Sequence, residues 1–169
     1  MRKYVIGLFT SAALLAAVPA QASINSFLAI LSGSSEVPGP GDPDGFGIAT
    51  LVIDTNTNMA SWSILANNIV LPLTGAHIHS GAAGVNGPVI VNFDGQLTGT
   101  VTDGDLASIT PANAALFYVN LHNAIYPAGA IRGQLQFTAS VIPEPGTYAL
   151  MLAGVGAIGL VARRRRVRA

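Results

Sequence analysis

Apolar and polar residues alternate through the middle of the chain. From Met59 to Leu65, an extended backbone places Ala60, Trp62 and Ile64 on one face and Ser61 and Ser63 on the other. That period of two marks a half-buried β-strand. Ile48 to Asp54 is apolar and β-branched, and Asp54-Thr55-Asn56-Thr57-Asn58 between the two segments has turn chemistry. The pair predicts a hairpin with Trp62 as a core plug. Another strand is predicted over Ser26–Gly33, closed by the Gly/Pro/Asp loop Gly39–Gly45. Further strands follow over Gly75–His79, Pro88–Phe93, Leu97–Val101, Ala115–His122 and Ala130–Thr138. Turns at Gly81–Gly87, Asp94-Gly95 and Asp103-Gly104-Asp105 separate them, and Asp105–Ala114 has room for a short helical turn. Many short strands without a sustained helical period predict an all-β fold, an antiparallel Greek-key sandwich or barrel.

Both ends break the alternation. Met1-Arg2-Lys3 is a positive n-region, Val5–Val18 an apolar h-region, and Ala20-Gln21-Ala22 a small-x-small box. These are the parts of a cleavable signal peptide over residues 1–22, with cleavage before Ser23. At the other end, Pro143-Glu144-Pro145 precedes an apolar run over residues 146–162 and an Arg cluster, Arg163-Arg164-Arg165-Arg166 and Arg168. As a helix that run spans about 25 Å, short of a hydrocarbon core of ~30 Å by an amount that snorkelling arginines can cover. The arginines place the C-terminus in the cytoplasm and the preceding domain outside. The alternative is a permanent single-pass anchor.

Charge follows the same division. Net charge is zero, yet seven of eight basic residues lie at the ends, and residues 23–142 hold seven acids against Arg132 alone. Such a surface repels nucleic acid, which binds through Lys and Arg. Cysteine is absent, so an exported domain of this size stands on its core without disulfides. Residues 23–142 suffice for one domain and not for two.

The chain has three histidines. In an extended segment His77 and His79 project from the same face, about 6.5 Å apart, with Ala76 and Ile78 opposite. His122 shares a face with Tyr118 and Asn120, opposite Phe117, Val119 and Leu121. Each imidazole therefore lies across the sheet from the more apolar face. Three neutral imidazoles with an open position suit zinc or copper; hydrogen-bonded structural histidines are the alternative. Asp42-x-Asp44 and Asp103-x-Asp105 are hard-oxygen pairs suited to calcium, though neither fits an EF-hand and Asp-Gly pairs ordinarily form turns. No nucleophile elbow, phosphate loop, cysteine nucleophile or dinucleotide fingerprint occurs, so nothing points to catalysis.

Two resemblances emerge from these residues. Pro143-Glu144-Pro145, the single apolar span and the Arg cluster resemble the PEP-CTERM sorting signal of Gram-negative bacteria, which implies processing by an exosortase. Ala76-His77-Ile78-His79-Ser80-Gly81 and Gly84–Val91, then Tyr118–His122 and Pro127–Leu135, resemble the two central motifs of the CHRD domain, named for chordin. Ala130 departs from the Glu common in that family's Gly-Glu-Ile-Arg-Gly run. The resemblance implies an immunoglobulin-like or superoxide-dismutase-like β-barrel. His77, His79, His122 and Arg132 also resemble positions of copper/zinc superoxide dismutases, but the bridging histidine, the zinc-loop ligands and the disulfide are missing. Arg132, Tyr118 and Asn120 become candidate groups behind the three histidines.

The expectation is a protein exported by the Sec machinery, trimmed by signal peptidase, transiently anchored in the inner membrane and sorted to the cell surface or extracellular matrix. There it serves as a non-enzymatic module, with exopolysaccharide a candidate partner. The second reading is a copper or zinc protein with redox capacity at the three histidines. The third is a carbohydrate- or protein-binding module using Tyr118, Asn120 and Tyr126.

Overall fold

The computed structural model describes residues 24–141, 151–158 and 163. Nine strands form one curled antiparallel sheet: β1 (Ile24–Ser32), β2 (Phe46–Asp54), β3 (Met59–Asn67), β4 (Leu73–Ser80), β5 (Val89–Asn92), β6 (Thr98–Thr102), β7 (Phe117–Asn123), β8 (Ile131–Gln134) and β9 (Gln136–Val141). The path runs β5-β4-β7-β8-β1-β2-β3-β6, with β9 paired to β1. Residues 151–158 are helical. No helix among the described residues is long and apolar enough to cross a membrane. The signal box Ala20, Ala22 and Ser23, the Pro143-Glu144-Pro145 box, most of the apolar span and Arg164, Arg165 and Arg166 lie outside the described residues; Arg163 is exposed.

The predicted hairpin is β2–β3, and its strict alternation is expressed as burial. Ala49, Leu51, Ile53, Ala60, Trp62 and Ile64 face inward, whereas Thr50, Val52, Ser61 and Ser63 face out. Phe27, Ala29 and Leu31 of β1 join them, as do Ala76, Ile78, Val119 and Leu121 from the far side of the sheet. A single cluster drawn from distant strands requires the sheet to curl. Trp62 closes the curl by stacking on Phe93 at 4.1 Å and 11° and donating its indole N–H to the Gln96 carbonyl at 3.0 Å. A buried indole needs such an acceptor as well as apolar contact.

Two predicted segments are corrected. Ala130–Thr138 is two strands, not one: β8 pairs with β7, and β9 pairs with β1. The chain must change partner at Leu135, whose N–H donates to the Phe117 carbonyl, because β7 begins at Phe117. Ala115 and Leu116 belong to a 3₁₀ turn, Ala114–Leu116, rather than to β7, and a second such turn occupies Gly104–Ser108.

Candidate metal centre

The outer face of β4, β7 and β8 carries a polar layer in register. His77 lies opposite Asn120, which lies opposite Arg132; His79 lies opposite Tyr118, which lies opposite Gln134; and Gly75 lies opposite His122. Residues directly opposite on one face have Cβ atoms about 5 Å apart, so strand pairing alone gathers the three imidazoles. Ring centroids are 5.6 Å apart for His77 and His79, 5.1 Å for His77 and His122, and 6.1 Å for His79 and His122. One ligating nitrogen of each lies within 4.8 Å of the other two. Bonds of ~2.0–2.1 Å to one ion require nitrogens about 3.3–3.6 Å apart, a contraction within the reach of side-chain rotation.

Gly75 makes room for the cluster. A Cβ there would stand 2.7 Å from His77 Cε1 and 3.4 Å from His122 Cδ2. The missing side chain is the space that two rings occupy.

The hydrogen bonds orient the rings. His79 Nδ1 lies 3.0 Å from the Gly87 carbonyl, and His122 Nδ1 lies 3.1 Å from the Pro127 carbonyl. A carbonyl only accepts, so each Nδ1 carries the proton, and in the neutral ring each Nε2 keeps a lone pair. Both Nε2 atoms, and Nδ1 of His77, are buried with no hydrogen-bond partner. Burial, then the neighbouring His122 and His79, pushes His77 down to about 4. Burial likewise lowers His79 and His122, against the upward pull of their carbonyl partners. All three shifts favour the neutral ring, the form a metal requires. Buried polar atoms normally have partners; these three nitrogens have none.

Arg132 holds the roof over this layer. It is 1% exposed and donates to Asn86 Oδ1 and to the Ala82 and Val85 carbonyls at 3.0, 3.1 and 2.7 Å, which clamps loop 81–88 onto the sheet. That loop supplies the Gly87 carbonyl to His79. The guanidinium also sits 3.4 Å above the Tyr118 ring, and Tyr118 stacks on His79 at 4.8 Å and 8°. Tyr118 Oη accepts from the Gly87 N–H at 3.2 Å.

Of the residues expected behind the histidines, Tyr118 and Arg132 therefore act by stacking and by positioning a loop. The acceptors of the imidazole protons are backbone carbonyls. Asn120 turns away, donating to Glu36 Oε2 at 3.4 Å. Tyr118 and Asn120, 1% and 4% exposed, lie on β7 rather than on a loop, so they form no exposed binding surface. Tyr126 is in the turn after β7, half-buried.

The acidic pairs behave as turn residues. Asp103 Oδ1 accepts from the Asp105 N–H at 3.0 Å, capping the Gly104–Ser108 turn. The Asp42 backbone N–H donates to the Ala130 carbonyl, and its carbonyl accepts from Gly45. Among the described residues, neither pair gathers a third His, Asp or Glu ligand, and the histidine trio does.

Sequence reasoning passed over Gly75, Asn86, Gln134 and Glu36. Glu36 is 6% exposed, and burial raises it to about 7 against the opposing charge of Arg132. The signal for Gly75 was present, since it stands two residues before His77 and shares its face. Nothing local marks Glu36, which reaches Asn120 across 84 positions.

These features define an all-β domain whose outer face holds a three-imidazole cluster under a clamped loop. The CHRD domain family model matches residues 27–135, and the chain belongs to that family. The PEP-CTERM protein-sorting motif matches residues 141–166, which implies processing by an exosortase and sorting to the cell surface. No curated protein and no solved structure matches the chain.

Proposed function

We propose that this protein is a non-enzymatic, surface-displayed metal-binding module, in which His77, His79 and His122 hold a zinc or copper ion. The observation that carries the reading is the pair of imidazoles whose Nδ1 protons are committed to backbone carbonyls, leaving buried, unpartnered Nε2 lone pairs on two rings that cluster with a third imidazole. Ligating histidines have this arrangement, because an acceptor behind the ring fixes its tautomer and raises the basicity of the ligating nitrogen. Three protein nitrogens leave a coordination position open.

In the same reading, residues 1–22 are removed on export through the Sec machinery and residues 143–169 form the sorting tail. Residues 23–142 act outside the cell, at the surface or within exopolysaccharide. The excess of acids over bases in that region attracts cations generally, while the imidazoles select among them.

The test is metal content and affinity of the purified full chain, by elemental analysis and competition with a calibrated chelator. About one ion per wild-type chain is expected, and none in the His77→Ala, His79→Ala and His122→Ala variants. Folding is followed by the fluorescence of Trp62, the only tryptophan. Metal retention by these variants equal to that of the wild type would sink the proposal.

A further inference from the structure

The geometry points to Asp94 as the fourth protein group of the histidine centre, one that biases it toward a divalent cation. The inference rests on the metal-binding reading of the three histidines and names a residue and an ion class that this reading leaves open.

Asp94 lies outside the motif that carries the histidines, in the turn after β5. Gln96 N–H donates to the Phe93 carbonyl at 2.9 Å, and Asp94 and Gly95 have φ of 52° and 68°. Two successive positive φ values make a type I′ turn, the geometry Asp-Gly favours. The Phe93 N–H donates to the Ala76 carbonyl at 2.8 Å, holding the turn beside β4.

The side chains then bring the carboxylate to the histidine face. Asn92 is the direct cross-strand partner of His77, so the two project on the same side of the sheet. Asn92 Nδ2 donates to Asp94 Oδ1 at 2.8 Å, and the Asp94 N–H donates to Asn92 Oδ1 at 2.8 Å. The carboxylate is thus tied to the residue beside His77. Asp94 is exposed, so its side chain is free to turn toward an ion once Asn92 releases it.

Among the described residues, the other charge facing the cluster is Arg132, on the opposite flank behind Tyr118. A dication held by three neutral imidazoles gains from a carboxylate on its open side, and zinc takes Asp oxygen as well as His nitrogen. Singly charged Cu⁺ prefers soft donors and gains least. Asp94 therefore separates Zn²⁺ from Cu⁺.

The experiment uses full-length wild type, Asp94→Asn, Asn92→Ala and His77→Ala, titrated with Zn²⁺ against a chelator and with Cu⁺ against a chromogenic cuprous chelator. Asn adopts the positive-φ conformation readily, so Asp94→Asn removes the charge and keeps the turn, which the melting temperature of the metal-free protein checks. The expected result is at least about a ten-fold loss of Zn²⁺ affinity in Asp94→Asn, a change in Cu⁺ affinity below about two-fold, and a smaller Zn²⁺ loss in Asn92→Ala, which removes the tether and keeps the carboxylate. Unchanged Zn²⁺ affinity in Asp94→Asn overturns the inference. So does an equal loss in Asn92→Ala, which would trace the effect to the turn. If wild type binds Zn²⁺ no better than His77→Ala, the three-histidine reading itself fails, a result recognised before any Asp94 variant is compared.

Discussion

Replacing Gly75 by Ala tests whether the space at the floor of the histidine cluster is what makes it a centre. The added methyl would stand 2.7 Å from His77 Cε1, 3.3 Å from His77 Nε2 and 3.4 Å from His122 Cδ2. Ordinary contact between such atoms is about 3.5–4.0 Å, so the His77 ring must withdraw by roughly 1 Å while His122 barely moves. The atoms in the way belong to the mobile end of a side chain, so the backbone is spared. Gly75 is not among the positive-φ glycines, and an alanine in compatible backbone changes stability by only about 0.4–1 kcal/mol, in the favourable direction. Metal affinity has no such tolerance. The nitrogens already need to draw in from 4.8 Å, and pushing one ligand outward should cost at least as much as losing an outer-shell partner, about 10–100-fold or ~1.4–2.8 kcal/mol. The assay pairs urea unfolding of the metal-free protein with chelator competition for Zn²⁺. The expected result is a midpoint shifted by less than the equivalent of about 1 kcal/mol, with affinity down at least ten-fold. Wild-type affinity in Gly75→Ala would refute the cradle, because the rings could then converge elsewhere.

Two further outcomes follow from the same structure. Glu36 has a folded pKa of about 7 against an ordinary 4.5, so the proton it keeps stabilises the fold below pH 4.5, and this contribution is lost as pH rises through 7. Its full size is about 3 kcal/mol at most. Glu36→Gln should therefore gain stability relative to wild type between pH 5 and pH 8, measured by denaturation at each pH. The histidines, depressed on folding, work in the other direction in both proteins and leave the difference intact; a pH-independent difference would exclude the buried proton. In the tail, neutralising Arg163 to Arg166 should leave the unfolding midpoint of the domain unchanged while impairing sorting, because these arginines fix the orientation of the segment in the membrane. Unaltered surface display and mature size in that variant would remove the arginines from the sorting signal.

Much of this protein is written in local sequence. The period of two in Met59–Leu65 fixes which side chains of β3 enter the core, because alternation is a property of the extended backbone itself. The same parity puts His77 and His79 on one face, and the C-terminal sorting motif is carried by composition and order alone. Strand ends were less legible: Ala130–Thr138 reads as one strand, and only the exhaustion of β7 at Phe117 splits it. Register was not legible. His122 meets the other two imidazoles because β7 pairs with β4 so that Gly75 faces His122 and Asn120 faces His77, and a slip by one residue would turn His122 to the core. Glu36 beneath Asn120, the Asn86 clamp on Arg132 and the tie between Asp94 and Asn92 are likewise products of register and loop closure. Burial summed over the whole curled sheet sets those, whereas the local chain sets only the side to which each residue points.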